Sequence, residues 1–137
     1  RRALAEAGIE HDPAYLLHSD FTSEGGFNAF GKLLALATPP TAIFASNDLM
    51  AIGGICAAAE AKVRVPQQLS VVGYDDIALA SYSTPRLTTV AQPKYAMGEM
   101  ITHLLLERIA GGHLPLRREL LKTRLVERQS TAPPAHG

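Results

Sequence analysis

The sequence has a single cysteine, Cys56. That excludes an internal disulfide and any cysteine-rich zinc site, and it fits a reducing cytoplasm. Cys56 falls on the apolar face of a helical pattern, which reads as a small buried hydrophobe rather than a nucleophile. An excess of charge is missing too: 13 basic and 13 acidic residues cancel. No overall field therefore draws the chain to nucleic acid or an anionic membrane, and any DNA partner must be contacted by other residues. No apolar run approaches the ~18 to 20 residues that span a bilayer, and no charged-then-apolar leader opens the chain. It opens instead on Arg1-Arg2-Ala3-Leu4, within a helical pattern and without methionine, so a fragment is expected.

What is present is 47% hydrophobic residue over 137 positions, enough to bury a real core. Residues 1 to 7 form a helix that Gly8 closes in the left-handed conformation, and His11-Asp12-Pro13 breaks direction. Ala14 to His18 reads as a strand. Phe27, Phe30, Gly31 and Leu34 fall at helical spacing in a segment opened by Thr22 or Ser23 and stopped by Pro39-Pro40. Thr41 to Ala45 reads as a buried strand. Asn47 or Asp48 caps the next helix, in which Leu49, Ile52, Gly53 and Cys56 share a face, and Val65-Pro66 follows it. Leu69 to Gly73 and Leu87 to Val90 read as strands on either side of an irregular stretch from Tyr74 to Arg86. Pro93 precedes a helix carrying Met97, Ile101, Leu104, Leu105 and Ile109, ended by Gly111-Gly112. A last strand alternates Leu121, Thr123 and Leu125, and Gln129 to Gly137 reads as a polar, disordered tail. Strands alternating with long helices predict an α/β fold with a mostly parallel sheet and helices on both faces.

In open parallel sheets ligands bind beyond the carboxyl ends of the strands. Those ends lead to Ser19-Asp20-Phe21, Ser46-Asn47-Asp48 and Tyr74-Asp75-Asp76. An aromatic ring, a carboxamide, a phenol and several carboxylates at one rim suit a neutral polyhydroxylated or heterocyclic small molecule. Two readings stay open at this point. Asp48 and Asp76 fit helix caps as well as ligand contacts, Asp75 is evenly placed between the two, and Phe21 either faces a ligand or folds onto the core. An acidic rim also suits Mg²⁺ and phosphoryl transfer. Against that enzyme reading stand the lack of an Asp-x-Asp strand end, of a GxxxxGK[ST] loop and of a lysine after a late strand. No Gly-x-Ser-x-Gly elbow occurs, and His11, His18, His103, His113 and His136 are scattered without metal-ligand spacing, so no catalytic residue, metal or cofactor is expected. Arg117-Arg118, Lys122, Arg124 and Arg128, interleaved with Glu119 and Glu127, read as a solvated strand edge.

Pro40-Thr41-Ala42-Ile43-Phe44-Ala45-Ser46-Asn47-Asp48-Leu49-Met50-Ala51-Ile52-Gly53, Val65-Pro66, Leu69 to Asp76, Pro85 to Val90, Gln92-Pro93 and Leu125 to Thr131 resemble, in order and spacing, the C-terminal half of LacI/GalR-type regulators. The likeness runs from Arg1 to about Thr131. It implies a type I periplasmic-binding-protein-like core: the C-terminal lobe with an incomplete N-terminal lobe, to which the helix at about 94–110 belongs, a disordered tail at 132–137, and a helix-turn-helix outside this chain. It implies further that Asn47 and Asp75, and more weakly Asp48, bond an effector on which Phe21 stacks. Ile52, Ile77 and Tyr82 would lie in a homodimer interface, and operator DNA would be met only through the helix-turn-helix. The function implied is sensing of a small molecule, a sugar, a sugar derivative or a nucleobase and sugar-like by preference, that alters operator affinity in the cytoplasm, with no membrane partner. A periplasmic sugar-binding protein of a transporter shares the fold and is the alternative, and the Mg²⁺ enzyme is a remote one. The likeness has departures: Lys62 stands where such proteins place a helix-ending glycine, and an Arg-x-x-Gly whose arginine reaches the ligand lies upstream. With the other lobe incomplete, the apolar face of the 94–110 helix is expected to be uncovered.

Overall fold

The computed structural model describes residues 2–10, 12–111 and 117–134. Arg1, His11, residues 112–116, with Gly112 and His113, and residues 135–137, with His136, fall outside them. Helix α1 spans Arg2–Glu6, and Gly8 follows it at φ +69°. Helix α2 is Ser23–Leu34, strand β1 Ala42–Phe44, helix α3 Asp48–Glu60 and strand β2 Ser70–Asp75. Strand β3 is Thr88–Ala91, helix α4 Lys94–Gly111 and strand β4 Arg124–Val126. The sheet order is β1-β2-β3-β4, with β1, β2 and β3 parallel and β4 antiparallel to β3. The mostly parallel α/β sheet expected from the alternation of elements is present.

Local chemistry explains the helix starts. Thr22 caps α2 by accepting from the Gly25 amide at 2.9 Å. Asn47, not Asp48, caps α3, its Oδ1 accepting from the Met50 amide at 2.8 Å. Helix α3 packs on β2, and α2 packs on α3. The two helices meet through backbone: a side chain at Gly26 would run into the main chain of Met50, and one at Gly53 into the carbonyl of Ser23. Only glycine permits that approach. Phe30, Leu33, Ile43, Ile55, Leu69, Val71 and Leu87 fill the core beneath. Burial of each large side chain is worth about 1.5–3 kcal/mol.

Several expectations require correction. Residues 14 to 18 are not a strand. The Asp12 carboxylate accepts from the Ala14 amide at 2.8 Å and Pro13 opens a 3-10 turn, Pro13–Tyr15, after which the chain runs exposed without a ladder partner. The last strand is confined to Arg124–Val126. Cys56 is exposed, as is Leu49, while Met50, Ala51, Gly53, Gly54 and Ile55 are buried. Helix α3 is apolar almost all round, so its periodicity does not select the inward face. Lys62 takes the left-handed conformation, φ +58°, that a glycine would adopt without strain.

The segment from Gln129 is ordered further than a disordered tail predicts. Ser130 is fully buried, its hydroxyl donating to the Val71 carbonyl at 2.6 Å and accepting from the Thr88 amide at 2.8 Å. Ala132 exchanges hydrogen bonds with the Ser70 hydroxyl. Helix α4 buries no residue, and Ile101, Leu105, Leu106 and Ile109 are exposed. Among the described residues no helix is long and apolar enough to cross a membrane.

Candidate functional site

The carboxyl ends of β1, β2 and β3 carry the polar rim. Phe21 is held left-handed at φ +63° just ahead of α2, and its residue is 60% exposed. Two side chains set that conformation. The Asp20 carboxylate accepts from the Thr22 hydroxyl at 2.7 Å and the Thr22 amide at 3.1 Å, closing a tight turn around Phe21. These bonds, the hydroxyl foremost, draw the Asp20 carboxyl below its ordinary value. From the other side Asn47 Nδ2 donates to the Phe21 carbonyl at 2.8 Å. The Asn47 amide thus caps α3 with its oxygen and tethers the aromatic with its nitrogen. Phe21 does not fold onto the core; its ring is presented outward.

Asp75 ends β2 at φ +115° and is half-buried, and Asp76 follows at φ +51°. The Asp75 carboxylate accepts from Gln92 Nε2, just past β3, at 2.5 Å. Gln92 and Tyr74 also line a cavity of about 320 Å³ beneath Met97, Ile101 and Leu104 of α4.

Asp48 occupies a different place in the rim. Its side chain is fully buried at the first turn of α3, with Oδ1 accepting from the Thr89 hydroxyl at 2.5 Å and Oδ2 from the Ile77 amide at 2.8 Å. Burial, reinforced by the nearby Asp75 and Asp76 charges, raises its carboxyl above the ordinary value, against the two hydrogen bonds that lower it. Neither Asp48 nor Asp76 is a helix cap. Asp76 pairs with Arg128 at 2.7 Å, both side chains mostly buried at 21% and 16% exposure.

Arg128 is therefore no part of a solvated edge. Its guanidinium donates to the Leu87 carbonyl at 2.8 Å as well as to Asp76. Sequence reasoning missed it because its partner lies 52 positions away. Gln92 was also missed, although its place just after a parallel strand carries the same signal as Asn47. Arg117 reaches Glu107 of α4 at 3.5 Å, and Arg124 stays exposed.

On the outer surface Tyr82 is 81% exposed, Ile52 and Ile77 are half-buried, and Leu49 and Leu79 are exposed. Among the described residues no group of three or more His, Cys, Asp or Glu side chains could hold a metal ion.

Comparison with known proteins gives a consistent result. The periplasmic binding protein-like domain profile matches residues 1–131. The HTH-type transcriptional repressor PurR of Erwinia tasmaniensis is 44% identical over 131 residues, covering 96% of this chain and 38% of that protein. Among solved structures, a transcriptional regulator CelR–cellobiose complex superposes with TM-score 0.90 at 38% identity, over 95% of this chain and 40% of the other. A LacI family regulator from Enterococcus faecium with bound ribose gives TM-score 0.83 at 37% identity, over 96% and 49%. The chain spans less than half the length of each.

Proposed function

Since the chain belongs to the periplasmic binding protein-like domain family, in the form found in LacI-type repressors, we propose that it is the effector-sensing part of a transcriptional regulator, with the effector seated on the rim of Phe21, Asn47 and Asp75. The observation that carries this reading is the ring of Phe21, exposed on a left-handed residue that Asn47 tethers. A flat apolar platform tethered by a carboxamide, at a rim that also carries the Asp75 carboxylate, suits a sugar face or a heterocycle. A sugar-like ligand is favoured: Asp75 can accept from two adjacent hydroxyls, and the relatives superposed above hold cellobiose and ribose. Asp48 contributes from beneath, through the Ile77 amide and Thr89, with both carboxylate oxygens engaged.

The protein works as a homodimer about a two-fold axis in this reading, with Ile52, Ile77 and Tyr82 in the interface. The apolar, outward Leu49 and Leu79 support it. Operator DNA is read by residues outside this chain, whose net charge is zero, in a protein acting in the cytoplasm. An effector that binds one lobe arrangement more tightly shifts the dimer towards it and so changes operator affinity. The relatives named above are a transcriptional repressor and two transcriptional regulators, and the reading assigns no catalysis. Thermal-shift screening of the whole encoded polypeptide against sugars, nucleosides and purines tests it: a stabilising compound whose effect Asp75→Ala removes supports the site, and a panel without one counts against it.

A further inference from the structure

The rim contains two consecutive non-glycine residues of positive φ, Asp75 and Asp76, in one turn. L-residues rarely adopt that conformation singly, and a pair persists only where the surroundings over-determine it. Here three separate contacts do so. Asp75 is tied to Gln92, Asp76 to Arg128, and the amide of the next residue, Ile77, to the buried Asp48. Arg128 is itself fixed, since its second nitrogen bonds the Leu87 carbonyl and its amide bonds the Thr88 hydroxyl at 3.0 Å. Asp48 is fixed by the start of α3 and by Thr89. The turn leads straight into the 3-10 segment Ala78–Ser81 and the exposed Tyr82, and the Ala80 carbonyl is held by the Leu87 amide at 2.8 Å.

We propose that Arg128 and Asp48 are positioning residues of the rim: one through Asp76 and the other through the Ile77 amide, they clamp the turn Asp75–Asp76–Ile77, so that the Asp75 carboxylate and the surface segment 77–82 are held as one piece. The proposal rests on the reading of Asp75 as an effector contact and extends it to residues that need not touch the effector. A ligand that pulls on Asp75 is then felt at Tyr82 through Asp76, Ile77 and the 3-10 segment Ala78–Ser81, because the clamp leaves the turn no slack of its own.

Amide hydrogen exchange on the whole encoded polypeptide tests the clamp without any ligand. A charge-assisted hydrogen bond at a mostly buried site is worth enough that Arg128→Gln speeds exchange at Ile77 by about tenfold or more, while Ala45 and Ala51, whose amides bond Val72 and Asn47, change less than about twofold. Asp76→Asn, which keeps an acceptor for Arg128 and the tolerance for positive φ, retains exchange within about threefold of wild type. Unchanged exchange at Ile77 in Arg128→Gln overturns the proposal, and so does an equal rise at Ala45, which marks uniform destabilisation. Asp48→Ala, which removes the acceptor of the Ile77 amide, speeds exchange there likewise, and if that variant does not fold, Arg128→Gln at its less buried site still decides. In a second arm, cellobiose and ribose are titrated into the same proteins. A sugar that binds wild type is expected to bind Arg128→Gln about tenfold more weakly, and equal affinity contradicts the positioning role. If neither sugar binds wild type, it is the choice of a sugar effector that fails, and the exchange result still decides the clamp.

Discussion

The side-chain amide of Asn47 joins two distant parts of the rim: its nitrogen donates to the carbonyl of Phe21, 26 positions earlier, at 2.8 Å, while its oxygen caps helix α3. The two roles separate chemically. Asn47→Asp keeps an oxygen for the Met50 amide but has no donor for Phe21, so stability should stay within about 1 kcal/mol of wild type while effector-induced stabilisation is lost. Asn47→Ala removes both roles and should cost about 0.5–2 kcal/mol as well. Urea unfolding and ligand-induced melting shifts on the two variants check this.

Asp48 holds two donors that have no other partner. Asp48→Ala leaves the buried Thr89 hydroxyl and the part-buried Ile77 amide without their acceptor, and is expected to cost about 2–4 kcal/mol in urea unfolding. A loss below about 1 kcal/mol would mean that the carboxylate is not the strut described.

The same group sets a pH dependence. Because burial raises the folded-state pKa of Asp48 above 3.8, the folded state holds this proton more tightly than the unfolded chain. Its contribution to stability is therefore largest at low pH and falls as pH rises from the ordinary value to the raised one. Compared with Asp48→Asn, wild type should gain relative stability as pH is lowered through the window just above 3.8. Urea midpoints measured for both proteins across that window check the sign, and a gap that closes in the opposite direction refutes it.

At the α2–α3 crossing the obstacle to a methyl group is main chain rather than a flexible side chain. Gly53→Ala should cost about 1–3 kcal/mol or more, although alanine is the better helix former, whereas Gly31→Ala, in open space on α2, should be neutral or stabilising. Thermal melts of the pair provide the comparison.

Much of this was legible in the sequence. The βαβ alternation, the Thr22 cap, the Gly8 helix end and the rim at the strand ends follow from local residue chemistry. What was not legible depended on contacts at long range. Arg128 looked solvated because Asp76 and Leu87 meet it only in the folded sheet. Asp48 resembled a cap because nothing local reveals that Thr89 and Ile77 converge on it. Cys56 was turned to the wrong side because a helix apolar on every face has no preferred one. Ala14 to His18 had strand composition but found no strand to pair with.

The proposed interface gives a further prediction. Tyr82→Lys places a charge in the proposed interface at a residue that is 81% exposed, so the core is untouched. Monomer stability should change by less than about 0.5 kcal/mol while self-association weakens about tenfold or more. Sedimentation velocity over a concentration series reads the difference.

The central claim is that Phe21, Asn47 and Asp75 seat a small neutral effector. Isothermal titration of the compound that most stabilises the whole polypeptide, into wild type, Phe21→Ala and Asp75→Ala, tests it most directly. The account predicts a saturable single site in wild type, with affinity lowered about tenfold or more in each variant while the melting temperature of Phe21→Ala without ligand stays close to wild type. Binding that is indifferent to both substitutions would place the effector elsewhere and contradict the account.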